Sequence, residues 1–181
     1  MTDRIVTIGG PPGSGKSTAG RRVAAERNLE YVSAGALFRA EAERRGISLA
    51  ALGELAEGDG SIDRSLDEEM LRQARPGRLL DGRVTGPLLR RRGIPAAYLV
   101  VTAEEAVRFE RLAGRDGGRT SAVAAETRAR EASERRRYAR YYDIHLETEP
   151  ADLTVDSTRL SPEAVVVQIL TFLDRDTRGT T

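Results

Sequence analysis

The chain has 181 residues, a length for one domain with a real core. Hydrophobic residues at 39% and charged residues at 31% exclude a disordered tail, and no apolar run reaches the roughly 18 residues of a membrane span. A net charge of +1 gives no electrostatic ground for binding nucleic acid or a membrane surface, and the lack of cysteine excludes disulfides and thiolate metal sites.

In chain order, residues 5–8 read as a buried strand and residues 16–27 as a helix, with a glycine-rich turn between them. Residues 29–32 form a second short strand. Residues 36–74 carry a helical pattern, broken near Gly46 and again at Gly58-Asp59-Gly60. Leu79 and Leu80 mark a strand ending at Asp81, and residues 97–101 a further one. Thr102 is expected to cap the next helix, with Glu104 and Glu105 in its first turn. A long charged helix spans residues 121–141, residues 153–155 form the last strand, and Ser161-Pro162-Glu163 opens the final helix. Residues 177–181 are expected to fray. This alternation predicts an α/β chain with a five-stranded parallel sheet flanked by helices, because parallel neighbours need crossover connections. Residues 1–176 are expected to form a single domain. A cytoplasmic location is expected, since residues 1–4 lead into the first strand without a signal-peptide layout.

Gly10-Pro11-Pro12-Gly13-Ser14-Gly15-Lys16-Ser17 matches GxxxxGK[ST] between strand and helix. Glycines let successive N–H groups curl around an anion at a helix N-terminus, where the helix dipole also favours negative charge. Of 29 Lys and Arg residues, only Lys16 is lysine. A compact, flexible ammonium can follow β- and γ-phosphates, whereas the planar guanidinium fork fits such a cradle poorly. Ser17 is expected to place its hydroxyl on Mg²⁺. The motif with the following Thr18 therefore predicts a P-loop that binds Mg-ATP. The Asn-Lys-x-Asp signature of GTPases is absent.

Three more segments accompany the loop: Ser33-Ala34-Gly35-Ala36-Leu37-Phe38-Arg39, Leu79-Leu80-Asp81-Gly82-Arg83, and the arginine-rich residues 127–138. Together they resemble the cytidylate kinase family of P-loop nucleoside monophosphate kinases, in its short archaeal and bacterial form, over residues 4–173. The resemblance implies a P-loop three-layer fold with an acceptor-binding insertion over residues 34–75 and a lid over residues 115–141. It implies that Ser33 and Arg39 hold the acceptor, although Ala36 stands where the family has an acid. Gly82 and Arg83 would add a second phosphate clamp, and Asp81 would serve Mg²⁺ through water or orient the acceptor. Arg111 and Arg115, four apart on one helical face, would pack over the adenine and phosphates of ATP. Arg130, Glu134 and Arg137 also share a face, with Glu134 replacing the usual aspartate. In the lid they would bridge both substrates, with Gly114, Gly117 and Gly118 as hinges.

Residues 62–67 resemble the family's Ile-Asp-x₃-Asp segment. Asp63 there reads either as a contact to the cytosine amino group or ribose, or as a helix cap. Plainer readings stand beside these. Arg39 also reads as a solvated helix arginine, Asp81-Gly82 as a simple turn, and the lid as a surface helix with Glu126–Arg130 and Glu131–Arg135 pairs. His145 reads as a lone surface histidine. The implied reaction moves the γ-phosphate of Mg-ATP to CMP or dCMP, in a monomer that needs no nucleic acid or membrane. A kinase of UMP, AMP or a specialised metabolite shares these features, and an ATP-sensing module shares the P-loop.

Overall fold

A computed structural model describes residues 4–117 and 119–176. The first strand, β1 (Ile5–Gly9), is buried along its whole length, as its apolar run requires. It is followed by α1 (Lys16–Glu26), β2 (Glu30–Ser33), α2 (Ala34–Arg45), α3 (Leu49–Gly58) and α4 (Gly60–Arg72). Then come β3 (Arg78–Asp81), α5 (Thr85–Arg91), β4 (Ala96–Thr102), α6 (Glu105–Asp116), α7 (Thr120–Tyr142), β5 (Leu153–Asp156) and α8 (Pro162–Asp176). The expected tail over residues 177–181 and the hinge at Gly118 lie outside the described residues.

The five strands form one sheet in the order β2-β3-β1-β4-β5, with every neighbouring pair parallel. Successive side chains on a strand point to opposite faces. Val6, Ile8 and Leu79 accordingly pack with α1 and α8, through Val23, Val165 and Ile169. Ile5 and Leu80 face the other way, onto Met70 of α4, Leu88 and Leu89 of α5, and Ile144 after α7. Helices on both faces give the expected three layers.

Local chemistry sets the helix ends. Ser33 caps α2 by accepting the Ala36 N–H at 3.3 Å, and Ser48 caps α3 by accepting from Ala51 at 3.1 Å. Asp59 caps α4 through the Ser61 N–H at 2.9 Å. Asp63 therefore lies inside α4, which overturns its reading as a cap. Ser161 accepts from Ala164 at the start of α8, as expected. Thr102 does not cap α6. It ends β4, its carbonyl accepts the Ser157 N–H at 2.8 Å, and Glu104 is the cap residue. Helix α5 has no counterpart in the sequence reading; it is only seven residues long, with Gly86 and Pro87 in its first turn.

The register places three strand ends in a row. Ile8 and Ser33 both pair with Asp81, so the start of the phosphate loop, the cap of α2 and the acid of β3 share one sheet edge. Ligands of open α/β sheets bind at this carboxyl edge.

Two substitutions on α8 test the layering. Ile169 is fully buried and Val167 is 60% exposed. Ile169→Ala should destabilise by about 2–5 kcal/mol and Val167→Ala by no more than about 0.5 kcal/mol in urea denaturation.

Candidate active site

A cleft of about 1080 Å³ opens at this carboxyl edge. On one wall lie Pro12, Gly13, Ser14, Gly15, Lys16, Ser17 and Thr18. Gly10 and Pro11 do not line it. Gly10 lies behind, at φ 135°, where a Cβ would come within 2.1 Å of the Val101 carbonyl oxygen. Gly15, in the left-handed conformation, precedes α1 without any side-chain cap, so the N–H groups of the first turn stay free for an anion. Lys16 is half-buried. Burial lowers its pKa from the ordinary lysine value, and Asp81 works in the opposite direction.

Ser17 donates its hydroxyl to Oδ2 of Asp81 at 2.6 Å, and Tyr31 donates to the same oxygen at 2.5 Å. Burial, then the Asp81 charge, push the Tyr31 phenol up to about 12, so it remains a donor. Among the described residues no three His, Cys, Asp or Glu side chains cluster as a metal cage. A Ser17–Asp81 oxygen pair beside an anion cradle suits Mg²⁺, which keeps several waters and binds through one or two protein oxygens plus phosphate.

The same cleft is also lined by Ser33, Arg39, Asp63, Gly82, Arg83, Arg130, Glu134 and Arg137. Glu134 is buried among cations. It accepts from Nε of Arg130 at 2.9 Å and forms an ion pair with Arg83 through its other oxygen. Burial alone would raise its pKa, but Arg83, Arg130 and Arg137 outweigh that and hold the carboxyl below its usual range. Arg137 donates to both oxygens of Asp63, at 2.5 and 2.6 Å, in a pair that crosses from α7 to α4. Burial pushes the Asp63 carboxyl up and Arg137 pulls it back, so each partner offsets the other's desolvation. Arg39 is exposed on the cleft and pairs with no carboxylate among the described residues.

Arg111 and Arg115 line the cleft on the loop side. Arg111 also grips Ser157, donating to its hydroxyl at 2.9 Å and its carbonyl at 2.8 Å. The expected Glu131–Arg135 surface pair does not form: Glu131 turns inward to Arg108, while Arg135 pairs with Glu147. His145 is exposed beside Asp143, outside the cleft.

Sequence reading missed Tyr31, Arg108 and Ser157. Their partners lie far away in the chain, with no local spacing to reveal them; the Tyr31–Asp81 bond spans 50 residues.

A family model described as an AAA domain matches residues 9–130. The cytidylate kinase of Aeropyrum pernix is 45% identical over 159 residues, covering 86% of this chain and 91% of that protein. The cytidylate kinase of Halobacterium salinarum is 40% identical over 174 residues, covering 94% and 89%. The chain belongs to the cytidylate kinase family.

Solved structures extend the likeness in fold. A shikimate kinase from Bacteroides thetaiotaomicron superposes with a TM-score of 0.59 at 15% identity, covering 93% of this chain and 97% of that one. A gluconokinase from Sinorhizobium meliloti gives 0.58 at 19% identity, covering 98% and 95%. At such identities these two speak for the fold alone. Ala36 occupies the third position of α2, after the cap Ser33, and is not among the cleft-lining residues.

Asp67 supplies a pH test. It lines the cleft and accepts the Tyr142 hydroxyl at 2.7 Å, and burial pushes its carboxyl up to about 7. Between the unfolded value of 3.8 and about 7, the folded state holds a proton that the unfolded state has released. Stability from this group therefore falls as pH rises through that window. Asp67→Asn keeps the acceptor for Tyr142 and removes the buried charge. It should melt higher than wild type at pH 8 and lose that advantage by pH 4 in calorimetry; an equal gain at both pH values would contradict the assignment.

Proposed function

We propose that this protein transfers the γ-phosphate of ATP to the phosphate of a cytidine monophosphate, CMP or dCMP, giving ADP and the nucleoside diphosphate. The observation that carries the reading is one cleft lined both by a P-loop and by an arginine set, in a chain 33–45% identical to cytidylate kinases. An ATP sensor needs no second anion wall. In this reading residues 34–75 form the acceptor wall and residues 115–141 the lid.

Both substrates are anions that repel each other, and the transferred group carries negative charge on its equatorial oxygens. Lys16, half-buried at the start of α1, would offset charge on the β- and γ-phosphates, where a low-dielectric setting strengthens its effect. The N–H groups of the loop would hold the remaining phosphate oxygens. Ser17 and Asp81 would hold Mg²⁺, directly or through water; when bound, it neutralises and orients phosphate oxygens. Arg39 and Arg83 would align the acceptor phosphate, and Arg130 and Arg137 would close over the junction from α7. An acceptor phosphate oxygen is already nucleophilic, so no general base is required. Closing of the lid would exclude water, which otherwise competes as acceptor.

Glu134 has a part in this account. A carboxylate between Arg83 and Arg130 holds their guanidinium groups in place before a phosphate arrives, so less ordering remains for binding.

The testing experiment measures ADP release with Mg-ATP against CMP, dCMP, UMP, AMP, GMP and no acceptor. CMP or dCMP should stimulate release at least about tenfold over the other acceptors. Binding of ATP without stimulation by any nucleotide would overturn the reading. Lys16→Ala should lower kcat by roughly 10²-fold or more with an unchanged circular dichroism spectrum. Arg39→Ala should raise the acceptor KM by about 10- to 100-fold and leave the ATP KM near wild type.

A further inference from the structure

A phosphate loop works by pointing its N–H groups at the ligand. Carbonyls on its outer side must then find donors of their own. Two of them do so through α6. The Pro12 carbonyl accepts from Nη1 of Arg108 at 3.0 Å. The Ser14 carbonyl accepts from the Ser157 hydroxyl at 2.7 Å, and Ser157 is held by Arg111. Gly13, between them, lies against the same helix: a Cβ there would come within 2.4 Å of the Arg108 carbonyl oxygen. The outer surface of the loop is moulded on the first turn of α6.

The nitrogen of Arg108 that holds Pro12 also donates to Oε1 of Glu131, at 2.6 Å. Both side chains are buried, at 8% and 11% exposure, and neither reaches the cleft. Glu131 belongs to α7, next to Arg130 and one turn before Glu134, both of which do face the cleft. The far half of α7 is fastened to the acceptor wall by Arg137–Asp63 and by Tyr141, which donates to the Ala56 and Glu57 carbonyls. One helix thus touches both walls.

From this we infer that Arg108 and Glu131 are a positioning pair which couples the seating of α7 to the shape of the phosphate loop. The inference rests on the kinase reading above. A buried guanidinium cannot be held by a neutral carbonyl alone, because its desolvated charge needs an anion. Glu131 supplies that anion, and only while α7 is seated. Seating the lid helix therefore fixes Arg108, and Arg108 fixes Pro12 and the loop. Arg128–Glu105 also joins α7 to α6, but at 60% and 48% exposure it is solvent-screened and touches no part of the loop.

The test compares Glu131→Gln, the double variant Arg108→Met with Glu131→Leu, and Glu105→Gln as control. For each, ATP affinity is measured by calorimetry without acceptor, followed by kcat, both KM values and the melting temperature. Glu131→Gln should weaken ATP binding and raise its KM about tenfold, with the CMP KM within about twofold of wild type. The double variant removes both buried charges, so it should melt at or above Glu131→Gln, yet still bind ATP about tenfold more weakly than wild type because Pro12 has lost its donor. Glu105→Gln should match wild type. Wild-type ATP affinity in the double variant would show that the pair only stabilises the fold and would overturn the inference. So would an equal rise of both KM values in Glu131→Gln. If wild-type protein binds ATP but transfers nothing to CMP, the kinase reading fails instead, whatever the variants do to ATP affinity.

Discussion

Holding two phosphate groups close together requires cations to be gathered in advance, against their own repulsion. At separations of several ångströms that repulsion amounts to kilocalories per mole wherever water is partly excluded. The carboxylates around the cleft answer this constraint: Asp81 stands beside Lys16, Glu134 between Arg83 and Arg130, and Asp63 against Arg137. Behind the cleft, Glu131 does the same for Arg108. Arg39 stands apart, exposed on the cleft with no acid partner among the described residues, as suits a cation kept for an incoming anion.

The sheet makes the arrangement rigid where it must be. Asp81 is fixed from both sides by register, with Ile8 on one neighbouring strand and Ser33 on the other. Its carboxylate is fixed again by Ser17 and Tyr31 on a single oxygen. The helical parts carry the arginines through side-chain pairs instead, including the ionic links of α7 to α6 and α4. Such links, unlike a strand ladder, can be exchanged for contacts to phosphate. Stiffness at the P-loop and exchangeable pairs on α7 are what a kinase needs if it is to open for substrates and close against water.

Local patterns made most of this legible in the sequence. The glycine-rich loop, the lone lysine and the strand ending at Asp81 are short-range signals, and each was found where the spacing put it. So were Ser161 and the two breaks that separate α2, α3 and α4. Pairing across the chain was not legible. Glu131 has Arg135 four residues on, which suggests a surface pair, yet burial of Arg108 from another helix claims it. Asp63 looked equally like a cap and a ligand contact; Asp59 took the cap, and Arg137, 74 residues away, took Asp63. Helix α5 was not read at all; its seven residues give too short a helical period, and its Gly86 and Pro87 are tolerated only because they sit in the first turn.

The measurement that tests the account most directly uses a bisubstrate analogue, adenosine and cytidine joined through five phosphates, as an inhibitor of phosphate transfer. Both walls belong to one cleft in this account, so the analogue should compete with ATP and with CMP alike and bind more tightly than either. Competition with ATP alone, at an affinity no better than that of ATP, would mean that the arginine wall does not receive the acceptor.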